Sequence, residues 1–161
     1  ERSLPVHFRS YLFQGVSFPK VLSRKGKEMF GVISHYRSGV EVRVTAFERT
    51  FVDVLDRPEL SGSWEEIWRS LESIEFFDLD QVLEYVKLLS SATTAAKVGY
   101  FLEEHKETLM VNDTYLNRLK KLRPKQPHYI NKSHKQKGHL IKEWNIIVPH
   151  EIIHKTWEEI S

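Results

Sequence analysis

The chain of 161 residues contains no cysteine. Within it, disulfides, thiolate metal sites and a cysteine nucleophile are therefore excluded. The absence is also in keeping with a cytosolic protein. Glycine is sparse, with seven in all, and none of them builds a G-x-G-x-x-G or G-x-x-x-x-G-K phosphate loop. A G-x-S-x-G nucleophile elbow is missing too. No apolar run approaches the ~20 residues of a membrane helix. Glu1 to Pro5 lack the apolar stretch of a secretory signal. The first residue is not Met, so the reading expects a partner domain upstream.

What is present suits one globular domain. Hydrophobic residues make up 40% and aromatics 12%, enough for a real core in a chain of this length. Net charge is only +2, yet the charges are segregated. From Ala46 to Asp80 there are ten acids and three bases. From Thr114 to Lys142 there are nine Lys or Arg, no acid, and His128, His134 and His139 besides. Such asymmetry says more about partners than the total does.

Val6 to Phe13 reads as a strand of mixed alternation, and Phe30 to Tyr36 as a second. The turn Arg37-Ser38-Gly39 leads into Val40 to Ala46, where Val40, Val42, Val44 and Ala46 alternate with Glu41, Arg43 and Thr45. That is the period of a half-buried strand and predicts a hairpin. Helical spacing follows. Glu48 to Asp56 carries Phe47, Phe51, Val54 and Leu55 on one stripe and ends at Pro58. Ser63 with Glu66 makes a capping box for a helix with Trp64, Ile67, Trp68, Leu71 and Ile74 as its stripe. Further helices are predicted from Asp78 or Asp80 to Leu89, from about Thr94 to Leu102, and from Asn112 or Asp113 to Leu122. Arg123 to Gly138, with two prolines and many bases, reads as an exposed loop holding a possible strand at His128 to Ile130. Trp144 to Val148 reads as a short buried strand that rejoins the N-terminal sheet, because its backbone groups need a ladder. Residues 150–161 suit a last helix.

Three patterns bear on chemistry. His150-Glu151-Ile152-Ile153-His154 matches H-E-x-x-H, which on a helix sets two His on one face for zinc, with the Glu as base. Glu158 and Glu159 are the only downstream candidates for a third ligand, and they continue the same helix, so a polar tail packing Ile152, Ile153 and Trp157 inward is the simpler account. Glu84 and Lys87, with Asp53 or Asp56 upstream, have the residue types of a metal-dependent nuclease but not its spacing. An i,i+3 ion pair explains them better. The third pattern is the basic segment: Arg118, Lys120, Lys121, Arg123, Lys125, Lys132, Lys135 and Lys137, interleaved with Tyr115 and Tyr129. Lys and Arg neutralise phosphates and release counterions, and aromatics can stack on unpaired bases. A solvated loop paired with the acidic middle is the competing account.

Glu48-Arg49-Thr50 and Asp53 stand where a strand becomes a helix. Thr50 or Glu48 can cap free N–H groups, and Arg49 and Asp53 can pair at i,i+4. A structural role for this corner outweighs a catalytic one, since polar groups at a buried corner must be satisfied in any case.

The run from Val42 to Pro58, with its E-R-T-x-x-D core, resembles the signature of the abortive-infection AbiEi antitoxins. Gly62 to Ile67, Leu79 to Leu89, Val98 to Glu103 and Trp144 to Val148 are similar to the segments that follow there. The resemblance implies a bacterial type IV antitoxin and transcriptional autoregulator. In that family a winged helix-turn-helix precedes a C-terminal α+β domain, which counters a nucleotidyltransferase-like toxin and can assist operator binding. This chain would be that C-terminal domain. It departs from the pattern in having no helix-turn-helix before Val6, in the Lys/His loop 123–139 and in the Ile152–Trp157 tail.

The expectation is therefore one α+β regulatory domain over residues 1–161: an N-terminal antiparallel sheet with a hairpin, a central helical cluster, and a C-terminal strand rejoining the sheet. It is expected to be cytoplasmic, without catalytic residues or cofactor, to contact DNA through the basic segment, and to have a nucleotidyltransferase-like toxin as functional partner. The alternatives are a protein-interaction module without nucleic-acid affinity and a metal-dependent hydrolase using His150 and His154.

Overall fold

The computed structural model describes residues 22, 24–76, 78–131 and 137–155. The expected strand at Val6 to Phe13 lies outside them. β1 (Val32–Arg37) and β2 (Val40–Thr45) form the hairpin. Their two-residue turn has positive φ at both Ser38 (51°) and Gly39 (78°), the backbone that matches the twist of the flanking strands. Register runs from Val32↔Thr45 to Arg37↔Val40. One face thus gathers Ile33, Val40, Val42 and Val44, as the alternation requires. That face is not half-buried, however: Ile33 is 47% and Val42 is 42% exposed. Alternation decides which side chains share a face; it cannot decide whether a second layer covers it.

Ala46 N–H donates to Gly31 O at 2.8 Å, closing the hairpin where α1 (Phe47–Asp56) begins. The helix enters on Ala46 with no side-chain cap, contrary to the capping roles expected of Thr50 and Glu48. Thr50 is the fourth helical residue, too far along to reach the free N–H groups of the first turn. Its Oγ1 meets Thr45 Oγ1 at 2.6 Å. Glu48 reaches sideways and accepts from Asp78 N–H at 3.1 Å.

After a single 3-10 turn at Pro58–Leu60 comes α2 (Trp64–Glu72). Its capping box is present: Ser63 Oγ accepts from Glu66 N–H at 3.2 Å, and Glu66 Oε2 accepts from Ser63 N–H at 2.8 Å. α3 (Leu79–Leu89) is capped by Asp78, α4 (Ala92–Glu104) by Ser91 and α5 (Asp113–Lys120) by Asn112. α4 is the central element, buried on every side from Thr93 to Leu102. It packs against α1, α3 and α5, with Phe51, Trp68, Phe101, Leu102 and Leu119 among the fully enclosed side chains. A helix enclosed on every side is an interior helix, and Thr93, Thr94 and Lys97 are buried with it.

β3 (His128–Tyr129), β4 (Gly138–Ile141) and β5 (Ile146–Pro149) form a second sheet in the order β3-β5-β4. β5 is parallel to β3 and antiparallel to β4. The α+β class holds, but the closing strand does not rejoin the hairpin. Its ladder requirement is met on both edges by neighbours close in sequence, and Ile146 and Val148 are then free to bury against the helical core. α6 (His150–His154) ends the described chain. No helix among the described residues is long and apolar enough to cross a membrane.

Candidate nucleic-acid interface

α5 delivers the basic segment. Its inner face buries Tyr115, Leu116 and Leu119, which leaves Arg118 and Lys121 exposed at its end and Lys120 half-buried between them. The following chain is pinned: Pro124 is buried, its carbonyl accepts from Asn145 Nδ2 at 2.9 Å, and β3 then adds to β5. The loop expected between 123 and 138 is thus anchored at least as far as Asn131.

The structure divides the eight predicted cations. Arg118 and Lys120 turn to the protein's own acids, Arg118 Nη1 to Asp80 Oδ1 at 3.1 Å and Lys120 Nζ to Glu103 Oε1 at 2.8 Å. Lys120 also lies 5.2 Å above the indole of Trp144. Lys121, Arg123, Lys125 and Lys137 are exposed and have no carboxylate partner among the described residues. Lys132 and Lys135 lie outside the described residues. The register separates the exposed four. His128 pairs with Ile146 at one end of β5, and Gly138 with Pro149 at the other. Lys121, Arg123 and Lys125 therefore precede one end of the sheet, and Lys137 sits at the opposite end, the two ends being about 10 Å apart along β5.

The aromatic part of the reading changes. Tyr115 is buried and cannot stack on a base. Tyr129 is half-buried. His128 is exposed, with Nδ1 3.1 Å from Thr93 Oγ1.

The Glu48-Arg49-Thr50 corner is a buried clamp. Arg49 is 2% exposed. Its Nη1 donates to Glu28 O at 2.7 Å and to Phe30 O at 2.6 Å, and its Nε pairs with Asp53 Oδ2 at 3.4 Å. Tyr85 lies under the guanidinium at 5.5 Å and stacks on Phe30 at 5.6 Å. Its hydroxyl donates to Asp53 Oδ1 at 2.7 Å. Burial, and next that hydrogen bond, push the Tyr85 phenol above its ordinary value. The expected Arg49–Asp53 pair is thus one edge of a larger network.

That network continues into a feature not foreseen. Thr94 Oγ1 donates to Asp56, and the buried Lys97 donates to Leu55 O at 2.9 Å. Asp56, Arg57, Glu59, Lys97 and Asn131 line a polar hollow of about 260 Å³. The available signal was a lysine inside the otherwise uncharged run Thr93 to Leu102.

His150 and His154 do share a helical face, with rings 5.9 Å apart. Among the described residues no group of three His, Asp or Glu could hold a metal ion, and Glu158 and Glu159 lie outside them. Glu84 and Lys87 lie on α3 with no such carboxylate group among the described residues, and the expected ion pair between them is not formed. Compared with protein-family models, curated proteins and solved structures, the chain matches none.

Proposed function

We propose that this chain is a regulatory domain that binds nucleic acid, of the AbiEi-like antitoxin kind, which assists DNA binding and counters a nucleotidyltransferase-like toxin. The observation that carries the DNA part is the trio Lys121, Arg123 and Lys125. They are exposed without a counter-charge among the described residues, on a segment held by Pro124 and β3. An anchored cationic strip loses little entropy on meeting a phosphate backbone. The antitoxin part rests on the resemblance of the run from Val42 to Pro58.

The test is anisotropy with a labelled duplex of arbitrary sequence across a salt series. Affinity is expected to fall steeply with salt, with a log–log slope of about −0.9 per phosphate neutralised. The triple change Lys121→Glu, Arg123→Glu, Lys125→Glu is expected to weaken binding roughly hundredfold or more and to flatten the slope by about three. Binding indifferent to both salt and the triple change would remove this reading. Lys120 is left out of the set because its ammonium already holds Glu103.

One observation favours the second reading, a protein-interaction module. Ile33, Val40, Val42 and Val44 form an exposed apolar row on a two-stranded hairpin, flanked on the same face by His35 and Arg37, and exposed apolar groups so gathered mark contact sites. Val42→Asp, in mid-strand and in solvent, is expected to leave the melting temperature within a few degrees. Under this second reading it abolishes neutralisation of the cognate toxin in co-expression. Unimpaired neutralisation would dispose of a role for the hairpin face.

A further inference from the structure

The hairpin is a two-stranded sheet, and among the described residues no strand lies on the outer edge of β2. The side chains from Val40 to Thr45 are all exposed. An open edge presents a row of unpaired backbone groups and invites another strand. Natural edges are blunted by proline, by a bulge or by charge. β2 has no proline, its register with β1 is unbroken, and its two charges, Glu41 and Arg43, are opposite in sign. Charges of one sign would repel a second copy of the strand; these two attract one.

The ladder decides which backbone groups face the open edge. Ala46 N–H donates to Gly31 O, the next rung beyond Val32↔Thr45. The even-numbered residues of β2 therefore turn their N–H and C=O toward β1, as antiparallel alternation requires. Glu41 and Arg43 direct theirs outward. Their side chains share one face of the ribbon, and Val40, Val42 and Val44 share the other. Neither Glu41 nor Arg43 has an ion-pair partner among the described residues.

We infer that β2 pairs antiparallel with β2 of a second copy of this chain, about a two-fold axis through Val42. In that register Glu41 lies opposite Arg43 of the second copy, and Arg43 opposite its Glu41. Each of these pairs exchanges both of its main-chain N–H···O bonds, and the side chains stand about 5 Å apart at Cβ, within reach of an ion pair. On the other face Val42 meets Val42, and Val40 meets Val44. The run Val-Glu-Val-Arg-Val is thus complementary to itself, as an isologous contact demands. Neighbouring registers are not. An axis through Glu41 or Arg43 still sets outward groups against outward groups, but it places Glu41 on Glu41 or Arg43 on Arg43. An axis midway between two residues sets valines against charges and outward groups against inward ones. A two-stranded ribbon is marginal in water, whereas three or more strands hold better, so the pairing also relieves the weakest part of the fold. It is independent of the nucleic-acid reading.

Sedimentation equilibrium of the full chain over a concentration series tests it. The weight-average mass is expected to rise from 19.0 kDa toward twice that, gradually, because the contact is small. Glu41→Arg alone, or Arg43→Glu alone, sets like charges opposite each other on both sides of the axis. Each is expected to weaken self-association about tenfold or more, with the melting temperature of the dilute protein unchanged, since both side chains are in solvent. The double variant restores opposite signs in exchanged places and is expected to associate like the parent. An equimolar mixture of the two single variants is expected to form mixed dimers for the same reason. A parent at monomer mass throughout would overturn the inference. So would a dimer indifferent to the single reversals, or one that neither the double variant nor the mixture restores. Amide exchange covers the remaining occupant. The Glu41 and Arg43 amides are expected to slow only as the dimer fills; slow exchange at monomer mass would mean that another segment of the same chain covers the edge, and the inference would fall.

Discussion

Gly99→Ala is expected to destabilise the chain and Gly99→Val to abolish its cooperative melting, against the ordinary sign of such changes. Inside an exposed helix, glycine is about 1 kcal/mol worse than alanine, so the first substitution would usually help. Here a Cβ on Gly99 would lie 2.0 Å from Cζ3 and 2.1 Å from Cη2 of Trp144, far inside contact distance. Trp144 is fully buried and cannot swing away. Its Nε1 donates to Glu103 Oε2 at 2.6 Å, and Lys120, itself paired to Glu103, covers its face. The ring is therefore clamped between α4, which carries both Gly99 and Glu103, and the end of α5. Overpacking of this kind costs about 1–3 kcal/mol per intruding group, and valine brings three carbons. Eviction of the indole would also release the turn that starts β5, so the loss would spread to the second sheet. Thermal melts and tryptophan emission check it. A melting temperature for Gly99→Ala at or above that of the parent would show that the ring yields and that the packing argument is wrong.

Gly99 also illustrates what a sequence can and cannot disclose. In the run Ala95 to Leu102 it reads as a weak point in a helix, because the residue that needs its missing side chain lies forty-five positions later. Features whose causes are local were legible: the Ser38-Gly39 turn, the Ser63–Glu66 box, the Arg49–Asp53 spacing and the stop at Pro58. Those that depend on distant partners were not. Glu48 was offered as a cap and instead ties down the start of α3. β5 was expected to return to the hairpin, but shorter connections to β3 and β4 satisfy it first. Lys120 looked equivalent to Lys121, yet one faces Glu103 and the other faces water. The hairpin's alternation was read correctly and its burial was not, since period 2 carries no information about a covering layer. In the candidate interface, composition disclosed the cations. Only the fold separates those spent on internal carboxylates from those left for a partner.

Arg49→Met is expected to cost about 3–5 kcal/mol, the usual loss when one member of a buried ion pair is removed. For a chain of this size that corresponds to a fall of roughly 6–20 °C in melting temperature. The carbonyls of Glu28 and Phe30 would lose their donor, and Asp53 would keep Tyr85 and the more distant Arg57 at 3.9 Å. Arg49→Lys is expected to rescue only part, because one ammonium cannot span two carbonyls and a carboxylate while lying flat on Tyr85. The combination with Asp53→Asn should cost less than the two single changes together, as shared partners dictate. Amide exchange should show where the energy goes. The guanidinium binds the segment before β1 to α1, so the hairpin amides are expected to open first, ahead of those in α4. Duplex affinity measured well below the melting point separates a clamp from a contact. As a clamp, Arg49→Met leaves affinity within about twofold while lowering stability. Affinity lost with stability intact would instead make Arg49 part of the binding surface, and the corner at Glu48-Arg49-Thr50 would then have to be read as functional.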